Sequence, residues 1–543
     1  MRTPHVLLRW AALVAALAAL NAAVTFYNVW PTPKIRWEGD LSIELALCLL
    51  LLLLTRRWHA AWPRGTAWAL AGLWFALTVG RYADVTARAL FGRRMNAYWD
   101  LPHVSNVAGM FLEATPAATG AGIVAGALAG LVALLLVLRW AFGRVVSGVQ
   151  VEGTRRALIA VTAAALLFFA GQRVSPAVPR EPAFTAPVSQ AYAVQAQLIV
   201  EAVRSTSGAQ VLPAGPPMVT DLRRAPGADV LLLFLESYGA ITYDRPAFAE
   251  GLADSRQRFA DAVAGTGRQV VSAFVESPTF GGGSWLAHIS LMSGLEVRTE
   301  YTNALLMTQQ RDTLPSAFAR NGYRTIAVMP GLQQQWPEGR FYGFDRIYDR
   351  DAMGYLGPEF GWWGVPDQYS MATLDALELA PAPRRPLFVF YPLINTHAPF
   401  APTPPYQPDW SRMTGEAPFD EEAVSLAFDD WADWEDLSPG YVRSVSYEFR
   451  MLAGYLEAHP ERNLVIVLLG DHQPPAAVTG EGQSWNVPVH VVATQPELLD
   501  RLRAAGFVDG MQPSRPEIAP MHELLPTLLD ALGDPVTTTT PAR

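Results

Sequence analysis

Side chains that can bind a metal ion or a phosphate follow three apolar runs of the chain. The runs cover residues 229–235, 387–393 and 463–469, and the polar residues that follow them are Glu236, His397, Asp471 and His472. In α/β sheets, functional groups gather just beyond the carboxyl ends of the strands. The repeated placement predicts one site built from these four residues.

A glycine-rich segment, Phe280-Gly-Gly-Gly-Ser284, supplies a hydroxyl as a further candidate. It precedes a helix-like run over 285–293. Three glycines let the backbone approach a ligand closely, and a serine at a helix start lies in the positive field of the helix N-terminus. Ser284 is therefore a further candidate for the same site.

Each candidate also has a structural interpretation. Glu236 and Ser284 could cap helix N-termini. Asp471 and His472 could form a Gly-Asp turn with a surface histidine, and His397 could be a loop imidazole. These interpretations hold singly, but together they leave the repeated placement at strand ends unexplained.

The elements that must position these residues follow from hydrophobic patterning. Residues 229–235, 324–329, 387–393 and 463–469 are mostly continuous apolar runs, typical of strands buried on both faces of a parallel sheet. Amphipathic helical stretches alternate with them. We expect an α/β sandwich with a mainly parallel central sheet over residues 226–535, followed by a tail over 536–543.

The composition places this domain on a membrane protein. Half of the 543 residues are apolar, 17% are charged and the net charge is −9. The first third is basic and the remainder acidic, which argues against a nucleic-acid partner. Cys48 is the single cysteine, so an intrachain disulfide and a cysteine-based metal site are excluded.

Five apolar stretches precede residue 175, and a bilayer crossing takes about 20 residues. Two of them are long enough alone and three need flanking residues; the stretches are 10–30, 41–54, 66–80, 117–138 and 157–171. They predict a bundle of about five transmembrane helices over 1–175, joined by a connector over 176–225. The alternative for 10–30 is a cleaved signal peptide, which the four following runs disfavour.

Arginine placement sets the expected orientation. Arginines cluster at 2–9, 56–64 and 139–156, on one side of a five-span bundle, and that side is the cytoplasm by the positive-inside rule. Everything after residue 173 then lies outside, in the periplasm or beyond the inner (cytoplasmic) membrane of a bacterium. The loop over 81–116 suits the bilayer surface through its basic and aromatic residues, including Arg94, Tyr98, Trp99 and His103.

The ordered set of motifs resembles the alkaline phosphatase/sulfatase superfamily: Glu236 after the first strand, Ser284 opening a helix, an isolated His397, and Asp471-His472 after a late strand. Within it, the chain is similar to the lipoteichoic acid synthase-like membrane phosphotransferases. The resemblance implies that Glu236, Ser284, Asp471 and His472 hold one divalent metal ion. Mn²⁺ or Zn²⁺ is preferred because of the imidazole ligand, and Mg²⁺ is possible.

The resemblance also assigns roles in catalysis and substrate binding. It makes Ser284 the nucleophile, while His397 contacts the transferred group or the leaving oxygen. Trp336 and Arg340 are similar to a Trp/Arg pair that grips phosphate in that family, although their spacing is two residues longer here.

Two departures from related families refine the expected reaction. The segment Ser284-Trp-Leu-Ala-His288 lacks the pattern that sulfatases need for conversion to formylglycine, which favours a direct serine nucleophile and phosphorus chemistry. Phosphoethanolamine-transferring relatives use threonine and disulfides, so a chain with one cysteine is expected nearer the phosphoglycerol branch. The implied donor is a phospholipid such as phosphatidylglycerol, and the acceptor is a cell-envelope glycan or glycolipid. A membrane-anchored phosphoester or sulfatase-like hydrolase, and an inactive envelope sensor, remain as alternatives.

The predicted topology is testable with reporter fusions. Fusions after residues 60 and 150 are expected to report the cytoplasm and a fusion after residue 176 the outside, because the arginine clusters stay inside. A cytoplasmic signal at 176 would contradict a phospholipid donor in the outer leaflet.

Overall fold

The structure is a computed structural model. It describes residues 3–29, 34–56, 62–63, 65–91, 97, 101, 108–109, 115–174, 184–205, 212–332, 336, 339–361, 364–480 and 482–535. The chain forms two compact units, one of residues 1–107 and 116–204 and one of residues 108–115 and 205–543. Arg94, Tyr98, Trp99 and His103 of the predicted surface loop, and the tail over 536–543, lie outside the described residues. The predicted domain limits stay a prediction.

The first unit is helical: the predicted stretches 66–80, 117–138 and 157–171 lie within helices, and 10–30 and 41–54 overlap helices that are shorter at one end. Its helices are α1 (Thr3–Thr25), α2 (Ile43–Thr55), α3 (Thr66–Phe91), α4 (Ala117–Gln150), α5 (Glu152–Val174) and α6 (Val188–Ser205), with a small hairpin of β1 (Tyr27–Asn28) and β2 (Ile35–Arg36). Within the described residues, three helical segments are long and apolar enough to cross a membrane: Val6–Thr25, Ala117–Gln150 and Glu152–Val174. The helix Ile43–Thr55 is apolar but shorter.

The second unit is built on a nine-stranded sheet. Its strands are β3 (Asp229–Leu235), β4 (Gln269–Glu276), β5 (Arg324–Val328), β6 (Arg346–Tyr348), β7 (Leu387–Leu393), β8 (Leu464–Gly470), β9 (Asn486–Ala493), β10 (Val508–Asp509) and β11 (Ala519–Pro520). They lie in the order β10-β4-β9-β8-β3-β7-β5-β6, and β11 pairs with β4. The strands β8, β3, β7, β5 and β6 are mutually parallel, whereas β9 runs antiparallel to both of its neighbours.

Short and medium helices connect and cover these strands. They are α7 (Ile241–Asp244), α8 (Pro246–Gly251), α9 (Ala253–Gly265), α10 (Ser284–Ser293), α11 (Glu300–Met307), α12 (Leu314–Arg320), α13 (Gly339–Tyr342), α14 (Arg350–Met353), α15 (Asp367–Leu374), α16 (Glu421–Phe428), α17 (Ser438–Ala458), α18 (Ala476–Thr479), α19 (Pro496–Ala504) and α20 (Leu524–Leu532). A π-helical turn (Asp375–Leu379) continues α15, and 3₁₀ turns lie at Trp410–Arg412 and Met521–Glu523.

The continuous apolar strands are explained by burial on both faces of the sheet. In β3, Leu231, Leu233 and Leu235 pack into one core cluster. The alternate side chains of the same strand, including Leu232 and Phe234, pack into the cluster on the opposite face. Successive side chains of a strand point to opposite faces, so a strand covered on both sides needs apolar residues at every position.

The predicted α/β sandwich with a mainly parallel central sheet is confirmed. Two of the four strands with predicted bounds, 229–235 and 387–393, match the structure; 324–329 is one residue shorter at its end, and 463–469 is shifted by one residue. The sequence analysis did not single out β4 and β9. Both are buried runs that pair antiparallel over eight residues each.

The second unit is expected to fold without the helical one. Residues 205–543 contain no cysteine, and the strands and helices of this unit make their own buried core. We expect this fragment to be soluble and monodisperse without detergent under reducing conditions, with a single cooperative thermal transition. Aggregation that detergent relieves would show that the boundary is wrong.

Candidate active site

The strand register brings the sequence-predicted residues to one edge of the sheet. Leu235, the last residue of β3, pairs with Gly470 at the end of β8 on one side and with Leu393 at the end of β7 on the other. The residues that follow the two outer strands, β8 and β7, are Asp471 and Ile394, and Glu236 lies between them. Three parallel strands that end at the same level therefore deliver their following residues to one place.

Asp471 is fully buried and its two carboxylate oxygens have different surroundings. Oδ1 accepts hydrogen bonds from the backbone N–H groups of Ser237 (2.8 Å) and His472 (2.7 Å). Oδ2 is buried and has no hydrogen-bond donor among the described residues. Burial and the negative charge of Glu236 raise the pKa of Asp471 well above its usual range, so this oxygen needs a proton or a cation.

His472 is oriented by its own loop. Its Nδ1 lies 2.7 Å from the carbonyl oxygen of Gln473, an acceptor, so Nδ1 carries the proton and Nε2 faces the carboxylates. Nε2 lies 3.3 Å from Glu236 Oε1 and 3.6 Å from Asp471 Oδ2. Burial alone would lower the pKa of His472, but the two carboxylates raise that pKa to about 9.

Glu236 completes a cluster of three ligand atoms. Burial alone would raise the pKa of Glu236, but the hydrogen bond and charge of His472, and the charge of His397, hold that pKa well below its usual range. The carboxylate follows β3 directly, and the next helix starts five residues later at Ile241, so Glu236 is not a helix cap. Because the charge of His397 contributes to the lowered pKa of Glu236, His397, which follows β7, lies close to the same site.

Ser284 reaches this cluster from the glycine-rich segment. Gly281, Gly282 and Gly283 all have positive φ (67°, 142° and 79°), a conformation that side chains with a Cβ rarely adopt. Gly283 is the N-cap residue of α10, and Ser284 is the first helical residue with no capping bond. Its hydroxyl instead donates to Glu236 Oε2 at 2.9 Å and lies 3.2 Å from His472 Nε2. The helix-cap interpretation of Ser284 is therefore wrong.

These residues fit a divalent cation. Ligand atoms of Glu236, Asp471 and His472 lie within 4.8 Å of one another, and all three side chains are buried. The unpartnered Oδ2 of Asp471 and the inward Nε2 of His472 are the atoms that a cation would satisfy. Two carboxylates, one imidazole and a hydroxyl suit Zn²⁺ or Mn²⁺.

The turn after β3 is held in a strained conformation. Ser237 has φ +59°, which is uncommon for a residue other than glycine and costs about 1 kcal/mol or more. Two hydrogen bonds offset this cost: Ser237 N–H donates to Asp471, and its carbonyl oxygen accepts from Tyr441 OH at 2.9 Å. Asp471 thus fixes the backbone next to Glu236 as well as facing its carboxylate.

Trp336 and Arg340, the predicted phosphate-binding pair, are not joined to this cluster by any contact among the described residues. Trp336 packs its ring 5.3 Å from that of Tyr342 and belongs to the partly buried surface of the core. Arg340 is exposed and lines an open cavity of about 920 Å³ beside Gln310 and Arg311. The substrate-binding roles of Trp336, Arg340 and His397 stay predictions.

A third histidine near the site was missed by the sequence analysis. His288 lies one turn after Ser284 on α10, with its ring centroid 4.4 Å from that of Phe234 and 5.3 Å from that of Phe390. Burial lowers the pKa of His288 to about 3, so this imidazole is neutral. The i, i+4 spacing from Ser284 was the available signal, but the aromatic surroundings come from distant strands.

Comparison with known protein families supports the predicted resemblance. Residues 290–533 match the family model Sulfatase. The predicted relationship to the alkaline phosphatase/sulfatase superfamily, and the sulfatase-like class of enzyme, are thereby confirmed for this part of the chain. Glu236 and Ser284 precede the matched segment, whereas His397, Asp471 and His472 lie within it.

Several solved structures are similar to the chain at low sequence identity. The lipooligosaccharide phosphoethanolamine transferase A of Neisseria meningitidis is 16% identical, with 89% of each chain covered and a TM-score of 0.42. The lipoteichoic acid synthase LtaP of Listeria monocytogenes is 14% identical over 62% of this chain and 79% of that one, with a TM-score of 0.37. The phosphoglycerol transferase GacH of Streptococcus pyogenes is 14% identical over 62% of this chain and 91% of that one, with a TM-score of 0.34.

These similarities carry no conclusion about the substrate of this chain. No curated protein sequence matches it significantly.

The end of β8 packs closely against the turn after β3, and this contact gives a test of the site that is independent of substrate. A Cβ at Gly470 would overlap the carbonyl oxygen of Tyr238, so Gly470→Ala must push the Glu236 turn away from Asp471. We expect tenfold or weaker Zn²⁺ or Mn²⁺ binding by titration calorimetry. Gly265→Ala, where a Cβ meets open space at the end of α9, is the control and leaves binding unchanged. Equal affinity in the two variants would contradict the proposed ligand set.

Proposed function

We propose that the chain is a membrane-bound, metal-dependent phosphotransferase. It moves a phospholipid headgroup such as phosphoglycerol to a cell-envelope glycan or glycolipid through a phospho-serine intermediate. The observation that carries the proposal is the Ser284 hydroxyl, 2.9 Å from Glu236 and 3.2 Å from His472 inside the buried cluster. A serine held among potential metal ligands is in the arrangement that activates a hydroxyl.

Glu236, Ser284, Asp471 and His472 would hold the metal ion. Bound there, a divalent cation supplies Lewis acidity that lowers the pKa of a coordinated hydroxyl and offsets charge on phosphoryl oxygens. The glycine loop and the start of α10 fix the position of the Ser284 oxygen, and Glu236 accepts its hydrogen bond.

The reaction proceeds in two displacements at phosphorus. In the first, the bond from Ser284 Oγ to phosphorus forms and the bond from phosphorus to the diacylglycerol oxygen breaks. The serine proton leaves through Glu236, and His397 gives a proton to the leaving oxygen. In the second, an acceptor hydroxyl bonds phosphorus and its proton passes to His397, while the bond from phosphorus to Ser284 Oγ breaks and this oxygen takes back the proton from Glu236.

The Nδ1 atom of His397 contacts the backbone of the next residue. Its Nδ1 lies 2.7 Å from the carbonyl oxygen of Ala398, so Nδ1 carries a proton and any proton transfer by this ring uses Nε2. A neutral His397 accepts the proton of the acceptor hydroxyl in the second displacement. It donates this proton to the leaving oxygen in the first displacement of the next cycle.

The helical unit supports a lipid donor. Among its described residues, three helices have the length and apolarity to cross a membrane. A phospholipid cannot leave the bilayer, so an enzyme anchored there meets its donor at high local concentration. We place the catalytic unit outside the cytoplasmic membrane because of the arginine asymmetry.

The nucleophile is tested by serine variants of the full chain in phosphatidylglycerol liposomes. Ser284→Ala is expected to lower turnover at least a thousandfold while the bound metal stays within twofold of the original, since carboxylates and imidazole contribute most of the affinity. Glu236→Ala and Asp471→Ala are expected to lose metal and activity together. Mass spectrometry of the original chain should find a glycerophosphoryl adduct on Ser284.

A matched control lies on the same helix. Ser290 is buried in α10 and its hydroxyl accepts from Val297 N–H at 2.9 Å. Ser290→Ala is expected to cost about 1 kcal/mol of stability and to keep activity. An active Ser284→Ala chain would sink the mechanism, and products formed only with water would identify a hydrolase instead.

A further inference from the structure

Two buried carboxyl groups face each other where α15 packs on α17, outside the metal cluster. Asp367 opens α15 and Glu448 lies in the middle of α17. Both residues are 0% exposed. Among the described residues, no Arg, Lys or His forms a hydrogen bond or ion pair with either carboxyl group. Two ionised carboxylates buried together without a cation are strongly unfavourable.

Asp367 is surrounded by donors, as an ionised carboxylate requires. Its Oδ1 accepts from Tyr391 OH at 2.7 Å, and its Oδ2 accepts from the backbone N–H groups of Ile394 and Asn395, each at 2.7 Å. In return, Asp367 N–H donates to Asn395 Oδ1 at 2.7 Å. The negative charge therefore belongs on Asp367.

Glu448 has the opposite surroundings. Neither of its oxygens has a hydrogen-bond donor among the described residues, although both are buried. Its partner across the helix contact is Asp367, an acceptor, so a proton on Glu448 supplies the one missing donor. Burial and the charge of Asp367 raise the pKa of Glu448 well above its usual range, and burial raises the pKa of Asp367 to about 6.

The titratable groups that face the pair from its neighbours do not supply a cation. They are the phenols of Tyr391 on β7 and of Tyr447 on α17, and burial raises the pKa of each well above its usual range. Tyr355, which precedes α15, is further from the pair and raises the pKa of Tyr447 through its charge. The protonation state of the pair therefore depends on the two carboxyl groups themselves.

Asp367 holds the segment that carries His397. The two backbone N–H groups that it binds belong to the first residues after β7, and Ile394 O accepts from His397 N–H at 3.1 Å to close the following turn. Loss of these bonds would release the turn from α15 and let the imidazole move relative to Glu236. The contact network thus leads from α17 through Asp367 to His397.

We propose that Asp367 and a protonated Glu448 share one proton and act as positioning residues for His397. The role of His397 rests on the proposed function, whereas the shared proton does not. The pair requires a proton that the unfolded chain releases above about pH 4.5. Unfolding is then favoured tenfold per pH unit above that value for as long as the folded pair keeps its proton.

The shared proton is tested by thermal unfolding of the full chain in detergent between pH 5 and 8. Glu448→Gln donates to Asp367 without a titrating proton, so its melting temperature minus that of the original chain should rise steadily with pH. Asp375→Asn is the control, because Asp375 is also buried but is paired with Arg462 at 3.0 Å and with Tyr455 OH at 2.9 Å. Its difference from the original chain should stay constant with pH. A constant difference for Glu448→Gln would overturn the proposal.

The positioning role is tested by turnover of phosphatidylglycerol by the same proteins. Asp367→Asn, which presents N–H groups or a weaker acceptor to the turn, is expected to lower kcat tenfold or more with KM and bound metal within twofold. Glu448→Ala should lower kcat similarly and Glu448→Gln should restore it, while Asp375→Asn keeps it. If Asp367→Asn lowers only the melting temperature, the pair is structural and the positioning role is wrong.

Failure of the proposed function gives a different result. In that case the original chain turns over no phospholipid, yet the pH-dependent difference for Glu448→Gln persists. Should Asp367→Asn not fold, the restoration of kcat by glutamine at position 448 still decides the positioning role.

Discussion

Glu236 and Asp471 leave neighbouring parallel strands at the same level and bury two carboxylates within a few ångströms of each other. Like charges in a buried site repel strongly, because little water remains to screen them. The proton on His472 balances only part of this charge, and Asp471 keeps an oxygen that has no donor in the part of the chain that the structure describes. The site therefore needs a proton or a cation, and the Ser284 hydroxyl lies 2.9 Å from Glu236 Oε2 in the same cluster.

One helix supports both sides of this arrangement. From α17, Tyr441 donates a hydrogen bond to the strained Ser237 beside Glu236. From the same helix, Glu448 faces Asp367, which binds the turn that carries His397. Tyr441 and Glu448 are seven positions apart, which is about two helical turns and so one face of the helix. A displacement of α17 would disturb the proposed metal ligand Glu236 and the proposed proton carrier His397 together.

The sequence was sufficient for the parts of the site that follow strands. Continuous apolar runs fixed β3, β7 and β8 to within a residue, and parallel register then implied that Glu236, His397 and Asp471 converge. The sequence was not sufficient for contacts made across the sheet. Nothing near Asp367 or Glu448 in the chain shows that they meet, since their partnership depends on the packing of α15 against α17. His288 was missed for the same reason.

The antiparallel strand β9 has a consequence for the order in which the enzyme is completed. Strand β4, which leads into the glycine loop and Ser284, pairs within the described residues only with β9, β10 and β11. All three come from residues 486–520, more than 200 positions later in the chain. During synthesis, the segment that bears Ser284 must wait for nearly the whole polypeptide before it can enter the sheet. A nascent chain stalled before residue 486 would thus contain Glu236, Asp471 and His472 but lack an aligned Ser284, so the proposed site is completed only when synthesis is almost finished.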